Sequence, residues 1–486
     1  MLFRSNLTIS SGSGYVTLGA TGKSISLTSL TINSTSTSAS NKIDSIISGV
    51  TALTYNGTAG KLLVNGINTY TGSTTISAGT LAINTATGLG TTGGATTVSS
   101  GGALEISGGI TVAEPITISG TGVSSGGAIA FTSGTNTYSG DITLAADSTI
   151  KSTSGNQTIS GAINGAYAAT ITATDNLTLS GTIGATAPPT SLTVTTTCDA
   201  TCSGASRTGV LALNANVTTS SDQTYTAAGD ITINADRTLT SSSGTITTNS
   251  ALSGAYSLTI SGNAAFGDGT GTDTINLSGT SKNLSVSGTT IIKTDITTSG
   301  TQTYSGAVTL GAATTLTTTN SNVTFNGTLN SDGATPRNLT AALGTGTLVI
   351  GDSSADTVGA TNALGAIAIT GALDLNAAIT NATSLSVSLT SDIGANITTT
   401  GNITFTGDVT VSADATIQSG SKTTYTTYTA YTVPTGVTSL TITAIGGAGG
   451  RGGNDGGNTG GLTGPVGSLT ATFSVTAGGK IGRAHV

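Results

Sequence analysis

Apolar and polar residues alternate in short runs along most of the chain, with Ile, Val, Leu or Ala at one position and Thr or Ser at the next; LTV at 192–194 and LTI at 258–260 are typical. A two-residue period sends successive side chains to opposite sides of an extended backbone. Each run therefore predicts a short strand with one apolar and one hydroxyl face. Thr suits the second face, because its branched Cβ favours extended backbone and its hydroxyl can bond a neighbour across strands. No stretch places apolar residues at helical spacing among the Leu, Glu and Lys that fill helical turns. The expected class is all-β.

One thirteen-residue pattern recurs: GDITLAADSTIKS at 140–152, GDITINADRTLTS at 229–241, GAVTLGAATTLTT at 306–318 and GDVTVSADATIQS at 407–419. Each copy reads as two short strands joined by a tight turn. An aromatic residue precedes each in a fixed frame, Tyr138, Tyr225, Tyr304 and Phe405, and a related version, NTYTGSTTISAGTLAI, occupies 68–83. The four starts are separated by 89, 77 and 101 residues. Those uneven steps could each hold several solenoid coils of about 20 residues, which leaves the number of coils open. At ~4.8 Å between stacked strands, coils over roughly 420 residues predict a rod about 100 Å long.

Composition narrows the partners. Charged residues are 7% of the chain and the formal net charge is −7, with no Lys/Arg cluster to neutralise phosphates, so a nucleic-acid partner is not expected. No apolar run reaches the ~18 residues of a membrane-spanning helix. Low-complexity disorder is disfavoured because apolar residues are 36% of the chain and alternate with Thr or Ser.

Candidate chemistry is sparse. Cys198 and Cys202 form CDATC, and the one histidine is His485, so a zinc site lacks ligands. A disulfide closing a tiny loop is the expectation and would point to an oxidising compartment, with free thiols as the alternative. Asp268 and Asp273 lie close in FGDGTGTDTI, where Gly269, Gly271, Asp273 and Ile275 fit part of the calcium nonapeptide GGxGxDxUx. No tandem second copy follows to complete coordination, and in GGRGGND at 449–455 the Asp falls one place late, so an Asp/Gly turn is the simpler reading. Other acids are scattered at turn positions such as Asp147, Asp236 and Asp414, and without a usable histidine a Ser-His-Asp or Cys-His site is excluded. No catalytic residue, metal or cofactor is assigned. The pairs Thr193/Thr195, Thr245/Thr247 and Thr441/Thr443 raise ice binding, which needs one pair per coil on one face, and the irregular spacing argues against it. Pro188-Pro189 and the cysteines read as a loop leaving the stack, with 188–207 a candidate binding excursion.

Several segments resemble known families. Gly66, Asn68, Tyr70, Gly72, Thr75, Ile76, Gly79, Thr80 and Leu81, followed by Gly101, Gly102, Ala103 and Leu104, resemble the autotransporter-associated β-strand repeat of secreted bacterial passenger domains. That resemblance implies a right-handed parallel β-helix and export. Residues 135–419 are similar to the tandem regions of filamentous haemagglutinin-like surface proteins. From 428 onward, TVPTGVTS and a Gly-rich tract resemble the opening of a bacterial glycine-rich domain, incomplete over 428–480. LFRS at 2–5 and IGRAHV at 481–486 resemble the translated ends of a sequencing adapter, so 1–5 and 481–486 are set aside and the solenoid is assigned to 6–427. These likenesses imply a fragment of a large exported bacterial surface protein, secreted or held at the outer membrane and acting as a non-catalytic structural and adhesive stalk. Its partners would be an outer-membrane translocator during export, then a surface glycan, protein or neighbouring cell. A carbohydrate-active β-helix enzyme and an ice-binding solenoid are the alternatives.

Overall fold

The computed structural model describes residues 5–198, 209–270, 272–333, 335–353 and 355–420, with strand segments at Tyr431–Thr432, Ser439–Ile445, Ser468–Ser474 and Lys480–Ile481. The chain divides into two compact units, Met1–Gln418 and Ser419–Val486. In the second, Ser439–Ile445 pairs antiparallel with Ser468–Ser474, and Tyr431–Thr432 with Lys480–Ile481.

The first unit is a parallel β-solenoid of about 19 turns. Its strands form three faces, visited in the same order on each turn. The first face starts at Asn6–Gly12, which pairs with Ser29–Ser34, and ends at Val409–Val411. The second starts at Thr17–Leu18 and ends at Ile417–Ser419, and the third runs from Ser24–Ser26 to Ile403–Phe405. Nineteen turns at ~4.8 Å stack to roughly 90 Å. Alternation decides which side chains enter the core. Over Leu192–Thr196 and Gln223–Ala227 the pattern is buried, half-buried, buried, half-buried, buried. The inward residues of successive turns join one continuous apolar core from Val16 to Ile397.

The recurring thirteen-residue pattern wraps a corner. In its first copy Ile142 and Leu144 belong to the first face while Ser148 to Ser152 belong to the second, both in parallel register with the turns before and after. The later copies occupy other corners: third to first for Ile231 and Leu239, second to third for Val308 and Leu316, and first to second again for Val409 and Ile417. Successive copies are thus three and two-thirds, three and two-thirds, and four and two-thirds turns apart, which accounts for the uneven sequence spacing.

Two polar devices hold the corners. On the outside, Asp and Asn carboxyl or carbonyl oxygens accept from backbone N–H groups one turn on: Asp147 from Ala168 (2.9 Å), Asp236 from Ser257 (2.8 Å), Asn283 from Thr301 (2.8 Å) and Asn322 from Thr347 (3.0 Å). Asp147 and Asp236, expected at turns, therefore tie neighbouring turns together. On the inside, buried amides sit at strand starts. Gln157 Nε2 donates to the carbonyls of Gly134, Ser154 and Gly155 (2.9–3.0 Å), while its Oε1 accepts from Asn136. Buried backbone polar groups are costly unless paired, and an amide, which both donates and accepts, can serve a corner that exposes both kinds.

Pro188-Pro189 does not leave the stack. Pro189 is buried and its carbonyl accepts from Ser220 N (2.9 Å), while Thr190 N donates to Tyr167 O (3.1 Å). Proline lacks a donor yet keeps its acceptor, so this corner remains laddered on both sides. Residues 199–208 lie outside the described residues.

Candidate functional site

The most extended chemical feature is the outward hydroxyl surface. On the first face Thr8, Thr31, Thr54, Thr75, Thr97, Thr117 and Thr143 occupy one register position on seven successive turns. On the second face Thr149, Thr170, Thr193, Thr224 and Thr247 form a column, with Thr172, Thr195 and Thr226 two residues along. Paired hydroxyls therefore align on three consecutive turns, Thr170/Thr172, Thr193/Thr195 and Thr224/Thr226. Their spacing is ~6.7 Å along the strand and ~4.8 Å between strands. Of the pairs expected from sequence, Thr193/Thr195 is in this array. Thr247 continues one column, whereas Thr245 pairs with Asn263 on the next turn. Thr441 and Thr443 lie in the second unit, on Ser439–Ile445.

Asp268 and Asp273 meet, but as a closed turn. Asp268 N donates to Asp273 Oδ2 (3.0 Å), and Thr270 N and Oγ1 donate to Asp268 Oδ1 (2.7 and 2.5 Å). The Thr270 hydroxyl holds the Asp268 carboxyl below its usual range, while burial pushes Asp273 up. Gly271 of the calcium-like pattern lies outside the described residues. Among the described residues no group of three or more His, Cys, Asp or Glu could hold a metal ion. The Cys198–Cys202 pairing also falls outside them, at Cys202, as does His485. Elsewhere Asp374 and Asp392 stack on successive turns of the first face.

One buried acid has no counterpart in these expectations. The corner leading into the first face is occupied by Gly72, Gly94, Glu114, Gly140, Gly161 and Gly181 on six successive turns, as the pairings beside it show. Glycine is needed there because the backbones approach closely; a Cβ at Gly161 would fall against the Gly140 carbonyl oxygen, and one at Gly140 against that of Glu114. Glu114 alone in this column carries a side chain. It is 4% exposed, and neither carboxyl oxygen has a hydrogen-bond partner. Burial pushes its carboxyl up to about 7. The two nearby phenols are engaged elsewhere: Tyr138 Oη donates to the Glu114 backbone carbonyl (2.7 Å), and Tyr70 Oη pairs with Thr74 Oγ1 (2.6 Å). Both are raised above the usual tyrosine range, by burial first and then by the Glu114 charge, with the Thr74 bond opposing at Tyr70.

No protein-family model, curated protein or solved structure matches the chain.

The sequence does carry a signal for Glu114, namely parity. Val112, Glu114, Ile116 and Ile118 fall on alternate positions, so the acid is in phase with the core. The glycine neighbours that complete the site lie 20 residues before and 26 after, at Gly94 and Gly140. Only the register between turns brings them together.

Proposed function

We propose that this chain is a segment of an exported bacterial surface protein that acts as a structural and adhesive stalk, and that its contacts are made through outward hydroxyl ladders rather than through a catalytic pocket. The observation that carries the reading is the parallel stack of about 19 turns with aligned threonines on two faces. Each turn templates the next and contacts only its neighbours, so such a chain can fold progressively as it emerges from a translocator. The uncharged hydroxyl surface suits hydrogen-bonded contact with glycans or another cell surface.

The test is surface display behind a bacterial outer-membrane translocator. Protease should reach the solenoid on intact cells, and displaying cells should adhere to glycan-coated or cell-coated surfaces more than cells carrying the translocator alone. Retention inside the cell, or adhesion equal to the control, overturns the reading.

One observation favours a second reading, binding to ice. The three aligned pairs on the second face supply the regular array that unevenly spaced sequence pairs did not suggest. Thermal hysteresis of the purified chain, abolished in T193V/T195V, would favour it over adhesion; its absence rejects it.

A further inference from the structure

We propose that Glu114 is a proton-held latch inside the solenoid: its corner stays closed while the carboxyl is neutral and opens locally when the proton is lost. The geometry carries the argument. A glycine column admits one long side chain, that side chain is buried, and no donor or cation meets it. A neutral carboxyl tolerates such surroundings far better than a carboxylate, which can only accept hydrogen bonds and must here do without any.

Among the described residues no cation faces Glu114, and the one unpartnered hydroxyl on the turn stacked against its strand, that of buried Thr96, makes no bond to it. The titratable groups near it are the phenols of Tyr70 and Tyr138, whose hydroxyls are committed to Thr74 and to the backbone. The charged side chains on the strands packed around it occupy outward or exposed corner positions: Lys61 paired with Glu105, together with Asp141, Asp147 and Lys151. A single hydroxyl cannot replace the hydration of a carboxylate, so an ionised Glu114 gains solvation by separating the turns. Each turn contacts only its neighbours, so the opening stays confined to the stack around Thr111–Val112 and Ile116–Gly120.

The native state holds the proton to a higher pH than the unfolded chain does. The contribution is therefore complete below the ordinary glutamate range, declines from about pH 4.5, and is lost once pH passes about 7.

The test uses the intact chain. It has two glutamates, Glu105 and Glu114, so selective ¹³C-glutamate labelling gives two carboxyl signals. One should titrate near neutrality and vanish in E114Q. Hydrogen exchange, corrected for intrinsic rate, should show protection around 111–120 falling roughly tenfold per pH unit between pH 5 and 7. The turns at Gln302–Tyr304 and Val323–Phe325 serve as an unchanged reference, and E114Q should flatten the profile. Two ordinary carboxyl titrations, or an E114Q profile that matches the native protein, overturns the proposal. If E114Q does not fold, the native carboxyl titration and the contrast between the two regions still decide.

Discussion

Gln302 and Glu114 each carry a polar head into the apolar interior at a strand boundary, and the stack treats them oppositely. Gln302 Nε2 donates to the carbonyls of Ile296 (3.2 Å) and Thr317 (3.0 Å), and its Oε1 accepts from Tyr304 Oη (3.1 Å). Tyr304 in turn stacks on Phe325, with ring centroids 5.3 Å apart, in the register position directly beside it. Gln223 and Tyr225 repeat the arrangement, Tyr225 Oη donating to Gln223 Oε1 at 2.8 Å. At Glu114 the same kinds of neighbours are present, a tyrosine and corner carbonyls, yet both phenol hydroxyls are spent elsewhere. An amide matches a corner that needs a donor and an acceptor together. A carboxylate supplies no donor and acquires one only by taking up a proton. Polar burial in this fold is thus stabilising or labile according to whether the head group can both give and receive.

The largest effect that would break this contrast is at the satisfied site. Tyr304→Ala removes a fully buried ring and its stacking on Phe325, and should cost about 3–5 kcal/mol, whereas Tyr304→Phe should cost about 1 kcal/mol by orphaning Gln302 Oε1. Urea unfolding followed by circular dichroism measures both. In the glycine column beside Glu114, Gly161→Val places a side chain against the Gly140 carbonyl and should destabilise by roughly 3 kcal/mol. Gly333→Ala, where a Cβ meets nothing within 4 Å, should stay within about 0.5 kcal/mol in the same assay.

The native protein should lose on the order of 3 kcal/mol between about pH 4.5 and 7 at the Glu114 turn, and E114Q should lose none of it. Midpoints of urea unfolding at pH 5 and pH 8 give the comparison. Smaller again is the outer brace. Asn283→Ala should cost about 1 kcal/mol, and Asn283→Asp much less, because the oxygen that accepts from Thr301 N is retained. Least of all, Thr303→Val, on the half-buried outward side of Gln302–Tyr304, should change stability by under about 0.5 kcal/mol.

Much of the fold was legible because parity is a local property. Leu192, Val194 and Thr196 alternate with Thr193 and Thr195, and that alone tells which side chains enter the core. The β-solenoid followed from repeating such runs. The corners were harder. Asp147 and Asp236 read as turn residues, but their acceptors reach backbone 21 residues away, a relation set by stacking. Pro188-Pro189 suggested an excursion because proline ends donor ladders, whereas Pro189 enters the ladder through its carbonyl. The uneven copy spacing looked like irregularity because the three faces are chemically alike, so nothing in the sequence marks which one a copy occupies. The paired threonines of the second face and the glycine neighbours of Glu114 were hidden for the same reason: register between turns is not written in any single turn.

The two-thirds offset between copies has a genetic consequence. The thirteen-residue pattern fits all three corners, so recombination between any two copies would join backbone that already matches in parity and bend. A deletion from the first copy to the second would shorten the stack by three and two-thirds turns and preserve its inward and outward sides. It would also rotate everything downstream by one third of a revolution about the axis. Length variation in such a gene would then act as an indexing gear, shifting which side of the rod later segments project from while the core beneath them stays in phase.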